Sequence, residues 1–223
     1  MPGKAANRWC SRWVSAERAT DWRGNNNIAE SIIGQLAQEP QPQPAWVVCG
    51  AGTGGTSATI GRYLRYRGLD TRLCVAEPAG AAFARGWREQ RRDAVATRCT
   101  LIEGIGRPRV EPGFLFEIVD EVIEVPDAGS IAAAWLLETL LGRRYGGSSG
   151  TNLVACLALA ARMRERGETG SVVTLLCDRG ERYADTLFDP AWLQATSRRR
   201  SRQPRANAAP AGSATHSCVS RPR

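Results

Sequence analysis

The sequence predicts an α/β domain with an open, largely parallel sheet and helices on both faces. Three apolar segments are continuous, as in strands that are buried on both sides of a parallel sheet: 46–49, 71–78 and 171–178. Segments with the 3.6-residue spacing of amphipathic helices separate them. Glycine-rich turns stand along the chain at 50–56, 103–108 and 146–152. Such turns belong where strands lead into helices, which is the edge at which open α/β sheets bind ligands.

The helical segments follow from the spacing of apolar residues. They are predicted at 28–38, from the first glycine-rich turn to about 67, at 130–141 and at 153–166. Asn25 to Asn27 offer an N-cap for the first helix, and the prolines after residue 39 end it. The segment 79–100 is predicted to be a loop or a solvated helix, and 116–127 is predicted to be strand material.

The composition divides the chain into three parts. We predict an irregular N-terminal segment at 1–24, the α/β domain at 25–193 and a disordered Arg/Pro/Ser-rich tail at 194–223. The formal net charge is +8, but the tail carries seven arginines and no acidic residue, which leaves about +1 for the rest. A nucleic-acid-binding domain carries its basic surface on the fold itself, so no specific nucleic-acid partner is expected. Non-specific contact of the tail with nucleic acid is the alternative.

Several functions are disfavoured by what the chain lacks. No apolar run approaches the ~20 residues that span a bilayer, and the N-terminus shows no secretory signal, so we expect a cytoplasmic protein without membrane contact. The seven cysteines include no CxxC pair and are expected to be free thiols. The only histidine is His216 and the only lysine is Lys4. We therefore expect no metal site and no catalytic residue within 25–193.

The segment 46–64, WVVCGAGTGGTSATIGRYL, is the most informative part of the chain. A short strand opens through Gly50, Gly52, Gly54 and Gly55 into a helix, and several hydroxyl side chains follow. Glycines let the backbone come close to a ligand, and the first N–H groups of a helix and its dipole favour an anion. The segment therefore predicts a phosphate cradle. The alternative is a tight strand-to-helix connection without a ligand.

Two nucleotide-binding motifs fit this segment less well. No Gly-Lys-Ser/Thr follows, so the segment is not a Walker A loop. Gly50, Gly52 and Gly55 match the GxGxxG spacing of dinucleotide sites, but the acidic residue that would hold a ribose is ambiguous between Asp70 and Glu77. The small hydroxylated residues suit a compact monophosphate at least as well as a pyrophosphate. A different phosphate or nucleotide binder of doubly wound fold stays open as an alternative.

Four motifs together resemble one family. GTGGT at 52–56, EGIG at 103–106, GGSSGTN at 146–152 and CDRGERYADTLF at 177–188 come in the order and rough spacing of pyridoxal-phosphate enzymes of the cysteine synthase and cystathionine β-synthase type. The resemblance covers about 25–192. The segments ERATDWRGNNNIAESI and GAGTGGTSATIGRYLRYRG are similar in sequence to those of an actinobacterial L-cysteine desulfhydrase-like branch. This resemblance implies the large domain of a fold-type II enzyme, pyridoxal 5′-phosphate as cofactor, a small amino acid as substrate and a homodimer.

The resemblance also implies which residues bind the cofactor: Gly52, Thr53, Gly54, Gly55, Thr56, Gly104 and Arg179. The segment 52–56 would surround the phosphate, Gly104 would lie beside the ring and the substrate, and position 179 would face the pyridine nitrogen. The family usually carries Ser or Thr at that last position. An arginine also keeps the nitrogen unprotonated, because it has no acceptor to offer. A solvent-facing Arg179 is the alternative.

The main departure from the family is the reactive lysine. In the family it sits in an N-terminal serine-x-x-lysine segment, beside an asparagine-containing loop that holds the substrate carboxylate. Neither motif occurs here, and Lys4 stands in PGKAA, which does not resemble the lysine motif. We therefore expect a chain that corresponds to the C-terminal half to two-thirds of such an enzyme, truncated on its N-terminal side.

The family performs β-elimination or β-replacement on cysteine- or serine-like amino acids. Because the Schiff-base lysine is missing, this chain is expected to bind the cofactor and to be inactive alone. The alternative is a non-catalytic fragment that binds the cofactor or docks on a homologue.

Overall fold

The computed structural model describes residues 28–202, and the side chains of residues 28–198. The strands are β1 (Trp46–Gly50), β2 (Arg72–Pro78), β3 (Glu121–Val125) and β4 (Val172–Thr174). The helices are α1 (Ile28–Leu36), α2 (Gly55–Tyr66), α3 (Ala82–Glu89), α4 (Asp127–Leu141), α5 (Gly147–Glu165) and α6 (Pro190–Arg202). Short 3-10 helices occur at Phe116–Ile118 and Gly180–Tyr183. The predicted N-terminal segment, the N-cap at 25–27 and residues 203–223 of the predicted tail lie outside the described residues.

The four strands form one parallel sheet in the order β3-β2-β1-β4. Five residue pairs join β1 to β2, from Trp46 opposite Arg72 to Gly50 opposite Ala76. Only three pairs join β1 to β4, so β4 is a short edge strand. The prediction of an open, largely parallel α/β sheet is therefore confirmed, and β4 is shorter and less buried than its apolar sequence suggested.

Alternate residues of the central strands point into two different apolar clusters. Val47 and Cys49 of β1 join a cluster that includes α2, α3 and Phe114. Trp46 and Val48 join a second cluster, to which α5 contributes Leu159. Because side chains alternate along a strand, both faces of β1 are covered, which explains its continuous apolar sequence.

Two helices differ from the sequence-based expectation in the middle of the chain. The segment 79–100 contains α3, whose residues Phe83 and Ala84 are fully buried, so the expectation of a loop or solvated helix is wrong there. Burial of this face overrides the arginine-rich composition; Arg88 is exposed and Arg85 is half-buried. The helix α5 begins at Gly147 and not at Leu153, so most of GGSSGTN forms its first turns.

Two other elements have bounds that differ from the predicted ones. Residues 116–118 form a 3-10 turn and only Glu121–Val125 is a strand, so the predicted strand 116–127 was too long. The helix α4 begins at Asp127, before the predicted start at 130.

The chain divides into two compact units, Met1–Arg182 and Tyr183–Arg223. Within the described residues, the first unit contains the sheet and α1 to α5. The second contains α6, which extends past residue 193 into the segment predicted to be a disordered tail.

Candidate cofactor site

The strand order reverses next to β1. The chain leaves β1 for β2 on one side, continues to β3, and returns through α4 and α5 to β4 on the other side of β1. In open α/β sheets the crevice at the carboxyl ends of two such strands is the usual place for a ligand. Here that crevice is bordered by the segment after β1, which carries GTGGT, and the segment after β4, which carries CDRG.

The GTGGT segment forms the N-terminus of α2. Gly54 is its N-cap and has φ of 89°, a left-handed conformation that favours glycine. The first helical hydrogen bond runs from the N–H of Ala58 to the carbonyl of Gly54, at 2.8 Å. The N–H groups of residues 55–57 precede it and have no partner within the helix. They form the donor set of an anion site, and the helix dipole adds to the attraction.

Hydroxyl groups in this segment divide into two kinds. The Ser57 hydroxyl donates to the carbonyl of Gly54 and the Thr59 hydroxyl to that of Gly55, both at 3.0 Å. The side chains of Thr53 and Thr56 are half-buried and make no hydrogen bond within residues 28–202. Two of the four hydroxyls are thus used by the helix, and two are left for a ligand.

The glycines of the segment also permit close packing of other loops. A Cβ at Gly52 would contact the carbonyl oxygen of Gly104, which lies in the EGIG turn and has φ of 85°. A Cβ at Gly54 would contact the backbone of Gly113 and Phe114. The structure therefore brings together Gly52 and Gly104, two residues predicted to bind the cofactor. It also shows that part of the glycine requirement comes from packing.

Arg179 is exposed and comes five residues after the end of β4. Its backbone forms an isolated antiparallel bridge with Tyr145. The flanking residues are held by backbone hydrogen bonds: the N–H of Gly146 donates to Asp178 at 2.8 Å, and the N–H of Gly180 donates to Arg144 at 3.0 Å. Position 179 is thus fixed by the segment that begins α5, and its side chain lies toward solvent.

Neither acidic candidate for a ribose is available at the crevice. Glu77 is 1% exposed and accepts hydrogen bonds from the N–H groups of Phe83 and Ala84, at 2.9 and 2.6 Å. Burial raises the pKa of its carboxyl to about 7, although these two hydrogen bonds favour the ionised form. Asp70 precedes β2 and so lies at the opposite edge of the sheet. The dinucleotide interpretation therefore lacks its acidic partner.

Asn152, the last residue of GGSSGTN, has no role that the sequence pattern predicts. Its side chain is fully buried, and its Nδ2 donates to the carbonyl of Leu175 at 3.1 Å. Its Oδ1 is buried and has no hydrogen-bond partner among residues 28–202. The sequence signal for this residue was an amide side chain in a motif of otherwise small residues. Its place beside Gly50 and Leu175 depends on the return of β4 to the side of β1, which the motif does not show.

Four of the described cysteines are free, as expected. Cys49, Cys74 and Cys156 are buried and Cys177 is half-buried, whereas Cys99 is disulfide-bonded and departs from the expectation. Within residues 28–202 there is no cluster of His, Cys, Asp and Glu that could hold a metal ion. None of the helices in the described range has the length and apolar character that a bilayer crossing requires.

A parallel α/β sheet with a glycine-lined anion cradle at the point of strand reversal defines a class of protein, one that binds a phosphorylated small molecule through backbone N–H groups. The profile of the family described as pyridoxal-phosphate dependent enzyme matches residues 12–178. The chain belongs to this family. The predicted family and its cofactor, pyridoxal 5′-phosphate, are thereby confirmed.

Two curated relatives are named as enzymes that act on or synthesise cysteine. The chain is 57% identical over 187 residues to an L-cysteine desulfhydrase of Mycobacterium tuberculosis, covering 84% of this chain and 51% of the relative. It is 33% identical over 161 residues to cysteine synthase 2 of Schizosaccharomyces pombe, covering 66% of this chain and 39% of the relative. The chain thus spans about half or less of the length of these relatives.

Solved structures support the fold. A hydrogen-sulfide-producing enzyme from Fusobacterium nucleatum superposes with a TM-score of 0.63 at 24% identity, over 77% of this chain and 47% of that one. O-acetylserine sulfhydrylase isoform 3 from Entamoeba histolytica superposes with a TM-score of 0.60 at 25% identity, over 73% of this chain and 46% of that one. These neighbours confirm the fold-type II prediction.

The residues present fit one end of pyridoxal phosphate. The N–H groups at the start of α2, which have no partner within the helix, and the hydroxyls of Thr53 and Thr56 match a phosphate. A lysine that could bind the aldehyde is absent from residues 28–202, because the only lysine of the chain is Lys4.

Proposed function

We propose that this chain binds pyridoxal 5′-phosphate through the segment 52–56 and belongs to cysteine metabolism, as a protein related to cysteine desulfhydrases and cysteine synthases. The observation that carries the proposal is the left-handed Gly54 at the N-terminus of α2, placed where the strand order reverses. Gly52, Thr53, Gly55 and Thr56 would complete the phosphate site.

The cofactor, when bound, supplies the electron sink for eliminating or replacing a group at the β-carbon of a cysteine- or serine-like amino acid. The part of this chain is to anchor and orient it. Gly104, next to the cradle, would border the ring. Arg179, if its side chain turns inward, would face the ring nitrogen without accepting a hydrogen bond from it.

We propose that the chain alone does not turn over substrate, because residues 28–202 contain no lysine to bond the cofactor and move protons. Lys4 is not expected to substitute. After incubation with pyridoxal phosphate and borohydride reduction, mass spectrometry should find no pyridoxyl group on Lys4. A Lys4→Ala variant should bind the cofactor as the unaltered chain does. A stoichiometric label on Lys4 would refute this part of the proposal.

The binding site is tested with a matched pair of threonine variants. Thr56→Val removes a hydroxyl that is left for a ligand, whereas Thr59→Val removes one that the helix already uses. A hydrogen bond to a charged group contributes about 1.5–3 kcal/mol, so Thr56→Val should weaken pyridoxal phosphate binding at least tenfold in a fluorescence titration. Thr59→Val should leave the dissociation constant within a factor of two or three. Equal affinity for pyridoxal, which lacks the phosphate, would contradict the cradle.

A second candidate function is docking on another copy of this chain or on a homologue. It is favoured by an apolar stripe on α4, where Leu136 and Leu140 are exposed by 44% and 65% and Leu141 by 47%. Exposed apolar patches of this kind mark interaction surfaces. In light-scattering chromatography, Leu140→Glu should convert a dimer to a monomer, whereas Val95→Glu, at an apolar residue exposed elsewhere, should not. A monomeric unaltered chain would exclude self-association.

A further inference from the structure

The amide of Asn152 lies where three segments of the candidate site meet. Its Nδ2 donates to the carbonyl of Leu175 and lies 3.8 Å from the sulfur of Cys177, at the end of β4. A Cβ built on Gly50, at the end of β1, would lie 3.4 Å from its Oδ1 and 3.0 Å from the Cγ2 of Ile105. Asn152 is therefore next to Gly50, two residues before GTGGT, and to Cys177, the first residue of CDRG, while Ile105 of the EGIG turn also lies close to Gly50.

The first turns of α5, which carry this amide, are held to neighbouring segments by side-chain hydrogen bonds. Thr151 donates to the hydroxyl of Ser130 at 2.8 Å, and the hydroxyl of Ser149 accepts from the N–H of Cys177 at 2.8 Å. A Cβ at Gly150 would contact the carbonyl of Ser130, so α4 and α5 approach each other closely at this level. Two hydrogen bonds thus connect the N-terminal turns of α5 to the end of β4, one through Ser149 and one through Asn152.

The connection matters because β4 is weakly held by the sheet. Only three residue pairs join it to β1, and its residues are half-buried. The segment beyond Thr174 leaves the sheet and leads to Arg179. Its position therefore depends on contacts with side chains, and those of Asn152 and Ser149 are buried and act on residues 175–177.

The second polar atom of Asn152 has no partner. Its Oδ1 is buried, lies on the side of Gly50 and accepts no hydrogen bond from the part of the chain that the structure describes. Buried acceptors are almost always paired, so an unpaired one in a crevice indicates that a donor belongs there. Water bridging to a bound ligand can supply that donor.

We propose that Asn152 is a positioning residue of the cofactor site, which holds residues 175–177 against α5 through Nδ2 and receives a donor from the ligand side through Oδ1. This inference depends on the proposed cofactor binding. Asn152 does not take part in the chemistry; it acts through the segment that carries position 179.

The positioning role is tested first without cofactor. Asn152→Leu removes both polar atoms at similar volume. The control Thr174→Val removes a hydrogen bond from β4 to the carbonyl of Val48, 2.9 Å long, which joins β4 to β1 and not to α5. Hydrogen exchange of a peptide covering residues 175–180 should rise at least tenfold in Asn152→Leu and not in Thr174→Val. Unchanged exchange in Asn152→Leu would overturn the inference, whatever the cofactor does.

The second test measures cofactor affinity. Asn152→Leu should bind pyridoxal phosphate about tenfold more weakly than Thr174→Val. The comparison is made under conditions in which both variants have the same unfolding midpoint. Equal affinities would overturn the inference. If the unaltered chain does not bind the cofactor, the proposed function fails, and the exchange experiment still decides whether Asn152 holds the segment.

A third variant keeps the test valid if Asn152→Leu does not fold. Asn152→Asp keeps Oδ1 and replaces Nδ2 by a second oxygen, which can donate to the carbonyl of Leu175 only when the carboxyl is protonated. Its cofactor affinity, divided by that of the unaltered chain at each pH, should therefore rise as the pH falls from 8 to 5. A ratio that is constant with pH would contradict the role of Nδ2.

Discussion

Substitution of Glu77 by glutamine should change how the stability of this protein depends on pH. The carboxyl of Glu77 is 1% exposed and caps the first turn of α3, where it accepts the N–H groups of Phe83 and Ala84. Burial is the larger influence on its pKa and raises it from 4.5 to about 7, with a smaller contribution from the charge of Glu124. The folded state therefore binds this proton more tightly than the unfolded state.

The sign and size of the effect follow from this difference. The stability that comes from the bound proton is fully present below about pH 4.5 and is lost as the pH rises through about 7. A pKa that is higher by about 2.5 units corresponds to about 3 kcal/mol of unfolding free energy. Glutamine cannot titrate. Its amide also leaves one backbone N–H without an acceptor, which should destabilise α3 by about 1–3 kcal/mol at every pH.

The assay is urea denaturation at several pH values between 4 and 8. From pH 4.5 to 7, the unfolding free energy of the unaltered protein should fall by about 3 kcal/mol relative to Glu77→Gln. The other carboxylates titrate in both proteins and cancel in the difference. As a control, Glu117→Gln removes a carboxylate whose side chain is 73% exposed, and its difference should stay nearly constant. If the unfolding free energies of Glu77→Gln and of the unaltered protein change in parallel with pH, the raised pKa of Glu77 is refuted.

Three further predictions concern glycines and thiols. Gly54→Ala should reduce the unfolding free energy by at least about 2 kcal/mol more than Gly68→Ala in urea denaturation: both have positive φ, but only at Gly54 would the Cβ meet backbone atoms. Gly150→Ala should destabilise the protein by a similar amount, because its Cβ would meet a carbonyl of α4. The control Gly129→Ala, whose Cβ has only ordinary contacts, should be neutral or stabilising by about 0.5–1 kcal/mol. Iodoacetamide should label the half-buried Cys177 first among the free described cysteines. The three buried thiols, whose pKa values burial raises, should react only on unfolding, as peptide mapping would measure.

Much of the candidate site follows from local sequence. A strand that opens through glycines into a helix specifies an anion cradle in one continuous segment, so the positions of Gly54 and Thr56 needed no knowledge of distant contacts. The division of hydroxyls between helix and ligand was not predicted. Ser57 and Thr59 are used by the backbone of α2, and this depends on where the helix begins, a boundary that composition leaves uncertain by a turn.

Where the prediction failed, long-range burial was the cause. The segment 79–100 is rich in arginine, yet α3 forms there because Phe83 stacks on Phe114, with ring centroids 4.3 Å apart. Glu77 was considered as a ribose ligand and is instead a buried cap of that helix. Both outcomes depend on contacts between segments far apart in the chain, which no local pattern encodes.

The sequence by itself determined the family, the alternating strands and helices, and the glycine-rich segment that is proposed to hold the phosphate, because each depends on residues that are neighbours in the chain. Only the tertiary structure decided that β4 returns beside β1 and so places Asn152, Gly50 and Leu175 together. The order of strands in a parallel sheet is set by how crossover helices pack on its faces, and that packing is a property of the whole core.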